Sequence, residues 1–258
     1  MRKDCSINVA SNLPGGFLPP KLQQDPDRLA MTHLILEGGA EFGGRMSEPD
    51  MRGIELAGGF DAPICVLPTA AALDNNHKRA GNNGVRWFNS LGAKNVFVAE
   101  ALDKKSANDA GIADQIRNSK LIYILGGFPG YLGETLKDSL CWSAALAALE
   151  SGAVIAGSSA GAMVLCEYYY DPYEKKLLRG LNLIPNACVL PHHNNFGGKW
   201  ADQLGAALPS AALIGIDEGT GLVGEPAGEW RVYGGGKVTL HRSGSAVGYG
   251  RGEAFRLR

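Results

Sequence analysis

The chain has 258 residues, 45% of them hydrophobic and 20% charged, with a formal net charge of −1. That balance is ordinary for a soluble globular protein large enough to bury a sizeable core. Near-neutral charge with scattered Lys and Arg excludes a nucleic-acid footprint, and no apolar stretch is long enough to span a membrane. The five cysteines (Cys5, Cys65, Cys141, Cys166 and Cys188) form no C-x-x-C pair. Cys65 and Cys188 lie inside apolar runs, where a free thiol behaves as a small hydrophobe. The odd count reads as a reducing compartment, taken as the cytoplasm, and argues against a disulfide framework or a zinc site.

Residues 1–30 are rich in Pro, Gly and Asn and lack the apolar core of a signal peptide, so they read as an N-terminal arm. Residues 31–258 read as a single α/β hydrolytic domain. Five short apolar runs follow one another at 32–36, 63–68, 95–98, 121–125 and 153–156. The first ends at Gly38-Gly39, the fourth at Gly126-Gly127, the fifth at Gly157-Ser158-Ser159-Ala160-Gly161. Continuously apolar runs of this length suit parallel strands covered on both faces. Helical patterns fill the gaps at 77–91, 106–117 (with Ser106 as cap) and 131–149. Further strands are expected at 186–190 and 212–217, and a C-terminal β-hairpin from 230–233 and 237–242 around Gly234-Gly235-Gly236. The alternation predicts an α/β fold with a doubly wound, mostly parallel, flavodoxin-like sheet and helices on both faces. Ligands in such sheets bind beyond the carboxyl ends of the strands. Both Gly-Gly pairs and Ser159 fall there.

Gly157-x-Ser159-x-Gly161 between an apolar strand and an Ala/Met/Val/Leu run has the context of a nucleophile elbow. The turn lifts the Ser159 hydroxyl out of the sheet, and the helix start beneath it offers free N–H groups, that of Ala160 among them, to an oxyanion. A serine nucleophile needs a base. Of the five histidines, His192 and His193 directly follow the 187–190 strand and stand at a strand end like Ser159, so one of this pair is the expected base. A non-catalytic ligand-binding protein is the bland alternative. An α/β-hydrolase-type esterase using Ser159, Asp217 and His241 is another, because that fold also runs serine, acid, histidine.

Four blocks resemble the serine peptidase family that contains cyanophycinase and aspartyl dipeptidase (peptidase E). Gly157-Ser158-Ser159-Ala160-Gly161-Ala162 is similar to its nucleophile turn G-x-S-A-G-A. Leu181-Asn182-Leu183-Ile184-Pro185 with Val189-Leu190-Pro191-His192 resembles its L-N/G-L-x-P block and the P-H that follows, and Ile216-Asp217-Glu218-Gly219-Thr220 its I-D-E-x-T. Leu125-Gly126-Gly127-Phe128-Pro129-Gly130 resembles its substrate-lining G-G turn. The resemblance implies a class I glutamine-amidotransferase-like fold, no metal and no organic cofactor, and hydrolysis of a small peptide or amide substrate. It selects His192 as base, with His193 beside the substrate. It implies oxyanion or substrate contacts from Gly126, Gly127, Phe128 and Ala160. It also places the orienting acid between serine and histidine, where Asp171 and Glu174 stand, with Glu167 third; spacing back from His192 favours Asp171. Asp217 and Glu218 are read as groups that organise a sheet end. Phe128 and Pro129 replace a polar pair of the family turn, so a strong preference for an N-terminal aspartyl residue is not expected. A homodimer is left open as the assembly.

Overall fold

The computed structural model describes residues 8, 9 and 32–257. The expected arm 1–30 therefore lies outside the described residues, apart from β1 (Asn8–Val9). Of the chain that follows, β2 (Leu34–Glu37), β3 (Pro63–Leu67), β4 (Asn95–Val98), β5 (Leu121–Ile124) and β6 (Val154–Ser158) form a parallel array in the order β2-β6-β5-β3-β4. Side chains alternate between faces along each strand, and both faces are buried. Ile35, Val66, Tyr123 and Ala156 meet α1 (Ser47–Leu56) and α2 (His77–Ser90) through Ile54 and Phe88. Leu34, Leu36, Cys65, Ile122 and Ile155 look the other way. There they share a core with α3 (Ala110–Arg117), α4 (Pro129–Leu136), α5 (Leu140–Glu150) and α6 (Ala160–Leu165). The doubly wound parallel sheet expected from the apolar runs is present.

Beyond α6 the chain builds a second sheet. It is made of β7 (Cys166–Asp171), β8 (Lys176–Arg179), β9 (Ile184–Leu190) and β10 (Ala212–Ile216), with α7 (Ala201–Ala207) covering its outer face through Leu204. The chain then returns to the first sheet as β11 (Thr220–Gly224), antiparallel to β2, and β12 (Glu229–Gly234). It crosses back for β13 (Val238–Arg242) and β14 (Ser245–Tyr249), and ends in the first sheet as β15 (Ala254–Arg256). The sheet orders are β15-β12-β11-β2-β6-β5-β3-β4 and β1-β8-β7-β9-β10-β13-β14. The inner face of the second sheet, with Val189, Ile214, Ile216 and Val238, shares the core of the first.

Three local expectations change. A C-terminal hairpin exists, but it pairs β13 with β14 through Ser243-Gly244. The two runs read as its arms, β12 and β13, lie in different sheets. The single helix expected over 131–149 is two, α4 and α5, because Asp138 turns at φ 53° and Ser139 caps the second by accepting the Trp142 N–H. The cap of α3 is Asp109, which accepts from the Ile112 N–H, and Ser106 opens a separate short turn. Cys65, Cys141, Cys166 and Cys188 are free and buried. Burial pushes the thiols of Cys65 and Cys188 up to about 12, which leaves them unreactive near neutrality.

Candidate active site

β6 is buried along its whole length, and the chain reverses at its end into α6. The reversal is made by Ser159, whose backbone stands at φ 49°, ψ −110°, a sparsely populated region for a residue with a side chain. Surroundings hold it there. The Ser159 N–H donates to Glu37 O at the end of β2 (3.0 Å), and Ser159 O accepts the Met163 N–H (3.0 Å) as α6 begins. Ser158 is fully buried, whereas Ser159 faces the cavity.

The second sheet supplies the partner. β9 ends at Leu190, and His192 also has a positive φ, 49°. Its N–H donates to Gly38 O (2.7 Å), and its carbonyl accepts the N–H groups of Asn195, Phe196 and Gly197. The ring lies over Gly39, where any Cβ would overlap it. His192 Nε2 stands 3.0 Å from Ser159 Oγ, and Nδ1 stands 2.7 Å from Glu218 Oε1. The carboxylate requires the proton on Nδ1, so Nε2 is free to accept the serine proton. Glu218 is carried by the connection from β10 to β11. Its N–H donates to Asn194 Oδ1 (3.0 Å), while the Gly219 N–H donates to Gly39 O (3.2 Å).

The carboxylate beside His192 is thus none of the three expected, which corrects the sequence reading. Asp171 is buried at the end of β7, and its Oδ1 accepts the N–H groups of Tyr173 and Glu174, closing the turn to β8. Glu174 pairs with Lys176 at 3.1 Å on the surface. Glu167 binds Arg179 and the Asn186 N–H. Glu218 was missed because the acid was sought between serine and histidine. Its one available signal was the I-D-E-x-T block at a strand end.

The remaining expected residues also find places. His193 packs over Gly215 and meets His241, Nε2 to Nε2 at 3.0 Å; burial, then its partner's proximity, lowers its pKa. The Asp217 Oδ2 accepts the Lys237 N–H. Asp217 and His241 therefore engage other partners than Ser159, which removes the geometry of the esterase alternative. Gly126 packs against Ser159, where a Cβ would lie 3.1 Å from the serine Cβ. The Gly126 N–H donates to Glu41 Oε2 (3.1 Å). Among the described residues the N–H groups of Gly127 and Ala160 meet no protein acceptor. Phe128 packs at a tilt on Tyr173, centroids 4.6 Å apart.

Behind the turn lies a buried acidic network. Glu37 accepts the Tyr123 hydroxyl (2.5 Å) and faces Asp50, which accepts the Trp87 indole N–H (2.7 Å). Two carboxyls in contact need a shared proton. Burial first, then Asp50, pushes Glu37 well up; burial pushes Asp50 up to about 7, and also raises Glu41.

A serine, an imidazole and a carboxylate in this order, beside two unpaired amides, can carry out acyl transfer. No group of three or more His, Cys, Asp or Glu among the described residues could hold a metal ion, and no described helix is long and apolar enough to cross a membrane.

Comparison with known proteins agrees with the architecture. Residues 34–226 match peptidase family S51. The cyanophycinase of Geminocystis herdmanii (strain PCC 6308) is 28% identical over 230 residues, covering 84% of this chain and 83% of that protein. The cyanophycinase of Synechococcus elongatus is 27% identical over 240 residues, covering 86% and 73%. The crystal structure of a peptidase from an acI-B1 Actinobacterium superposes with a TM-score of 0.77 at 28% identity, over 88% of this chain and 97% of that one. With most of its length inside the family match, from the start of β2 to just past β11, the chain belongs to peptidase family S51 and is a peptidase by that membership.

Proposed function

We propose that this peptidase is of the serine type, a cyanophycinase-like or dipeptidase-like exopeptidase on short peptides. Ser159 attacks the scissile carbonyl, His192 takes its proton and returns it to the leaving amine, and Glu218 holds the imidazole. The N–H groups of Gly127 and Ala160 stabilise the oxyanion. The observation that carries this reading is the unbroken chain Ser159 Oγ to His192 Nε2 (3.0 Å) and Nδ1 to Glu218 Oε1 (2.7 Å), with Ser159 and His192 each at a positive φ on its own strand-end turn. Free buried thiols support the cytoplasm as its place, and a homodimer is the assembly to be tested by light scattering.

Substitution separates the roles. A fluorophosphonate should label the wild type and Ser158→Ala, but not Ser159→Ala. Glu218→Gln should lower kcat on the order of 10⁴-fold, because it loses the group that fixes the tautomer. Asp171→Asn should leave kcat within about tenfold, since a turn cap tolerates an amide oxygen. A severe Asp171→Asn beside a mild Glu218→Gln would overturn the assignment of the acid.

A further inference from the structure

Ser159 and His192 open into a cavity of about 240 Å³. That is below the usual range of roughly 300–1,000 Å³ for drug-sized ligands, so it fits a side chain rather than a polymer. Apart from His192, no lining side chain can carry charge near neutral pH: beside Gly127 and Ser159 the wall is Met163, three prolines (129, 172 and 191) and three aromatic rings (173, 196 and 200).

The aromatic rings come in two groups, joined by no ring contact between them. In the first, Tyr173, at the tip of the β7–β8 turn, packs at a tilt on Phe128. In the second, Phe196 stacks on the His192 imidazole (4.8 Å, 23°) and meets Trp200 edge-on (5.5 Å), which in turn packs on Tyr170 (5.1 Å). One lining ring of each group stays exposed, Tyr173 at 60% and Phe196 at 40%, although their neighbours are buried or half-buried. Exposed rings in the wall of a small, mostly apolar cavity are apolar surface left for a ligand to cover. A guanidinium entering the cavity would lose hydration and find no carboxylate on its walls, and a carboxylate would find only the His192 imidazole, already paired with Glu218.

We propose that this cavity receives an uncharged apolar side chain, aromatic or branched aliphatic, of a residue flanking the scissile bond, and that Tyr173 is a specificity-determining residue for it. The proposal rests on the reading of Ser159 as nucleophile, but the cavity can be probed without turnover. It also separates this chain from relatives named for cyanophycin.

The test is binding to Ser159→Ala, followed by NMR chemical-shift titration with the N-acetyl amides of phenylalanine, leucine, aspartate and arginine. Phenylalanine or leucine should bind at least tenfold tighter than aspartate and arginine. Adding Tyr173→Ala should bring that ratio near one, and Tyr173→Phe should keep it, because the ring and not the hydroxyl covers the ligand. Tyr173 is an exposed turn residue, so both variants should fold, which their spectra report directly. The proposal is overturned by no saturable binding of either apolar ligand, by aspartate or arginine binding as tightly (arginine through cation–π contact), or by an unchanged ratio in Tyr173→Ala. Loss of fluorophosphonate labelling in the wild type would instead overturn the nucleophile and leave this binding result standing.

Discussion

A Cβ built on Gly39 would lie 2.2 Å from His192 Cε1 and 2.7 Å from both ring nitrogens, and the residue sits at φ +113°. Only glycine allows the imidazole to lie against the end of β2 and reach Ser159. Gly39→Ala should therefore displace the ring by about 1 Å, a misplacement that can cost about 10²-fold in kcat. Gly44→Ala is the control, since nothing lies within 4 Å of its added Cβ. Steady-state kinetics on any cleaved peptide decides it, and a Gly39→Ala enzyme with wild-type kcat would show that the contact does not position His192. At this scale the sequence revealed that Gly38-Gly39 ends a strand near the site. It could not reveal that the second glycine makes room for an imidazole 153 positions later, since such a contact exists only once both strands are placed.

At the scale of elements, the break between α4 and α5 combines the positive φ of Asp138 with the cap made by Ser139. Ser139 Oγ accepts the Trp142 N–H (3.1 Å) and satisfies a donor that a continuous helix would have used internally. Ser139→Ala should cost about 1 kcal/mol of stability, read from the shift in urea midpoint at constant m. An unshifted midpoint would mean that packing of Trp142 and Leu146, and not the cap, holds the start of α5. The break was missed because 131–149 is rich in Ala and Leu, and the polar trio Lys137-Asp138-Ser139 that marks it also fits the exposed face of one continuous helix. The central parallel strands were legible for the opposite reason: burial on both faces leaves continuous apolar runs between glycines. β7 and β8 were not, because their residues 166–171 and 176–179 mix Tyr, Glu, Lys and Arg with apolar groups. With β7 and β8 unread, the second sheet was not anticipated, and Asp171 was favoured as the orienting acid although its carboxylate caps a buried turn. Ser159 and His192 were readable from their strand-end motifs. Glu218 was not, since the path that brings it to His192 crosses from one sheet to the other.

For the molecule as a whole, Glu37 and Asp50 make stability depend on pH. The folded pKa of Asp50 is raised to about 7 by burial, and that of Glu37 is raised further. A raised carboxyl binds a proton in the folded state that the unfolded chain has already released. Stability from it is therefore present at low pH and falls as pH rises from about 4 through the folded pKa. The slope is at most about 1.4 kcal/mol per pH unit for one proton. His193, whose pKa is lowered chiefly by burial, gives the opposite slope, so wild type and variant must be compared across the same range. Asp50→Asn keeps an acceptor for the Trp87 indole and removes one ionisation. Its urea midpoint should fall less than that of the wild type between pH 5 and 8; parallel curves would rule out a proton held by this pair. The two-sheet layout has a further bearing, on synthesis. Ser159 belongs to the first sheet, His192 follows β9 of the second, and Glu218 rides the crossing between them. A nascent chain emerging up to α6 already holds the parallel strands and Ser159, yet has neither His192 nor Glu218. His192 follows with β9, and Glu218 comes only once residue 218 has left the ribosome and the chain crosses to β11 along β2. On the proposed reading the enzyme is therefore mute until both sheets have formed, and a folding intermediate that holds only the first carries Ser159 without its partners.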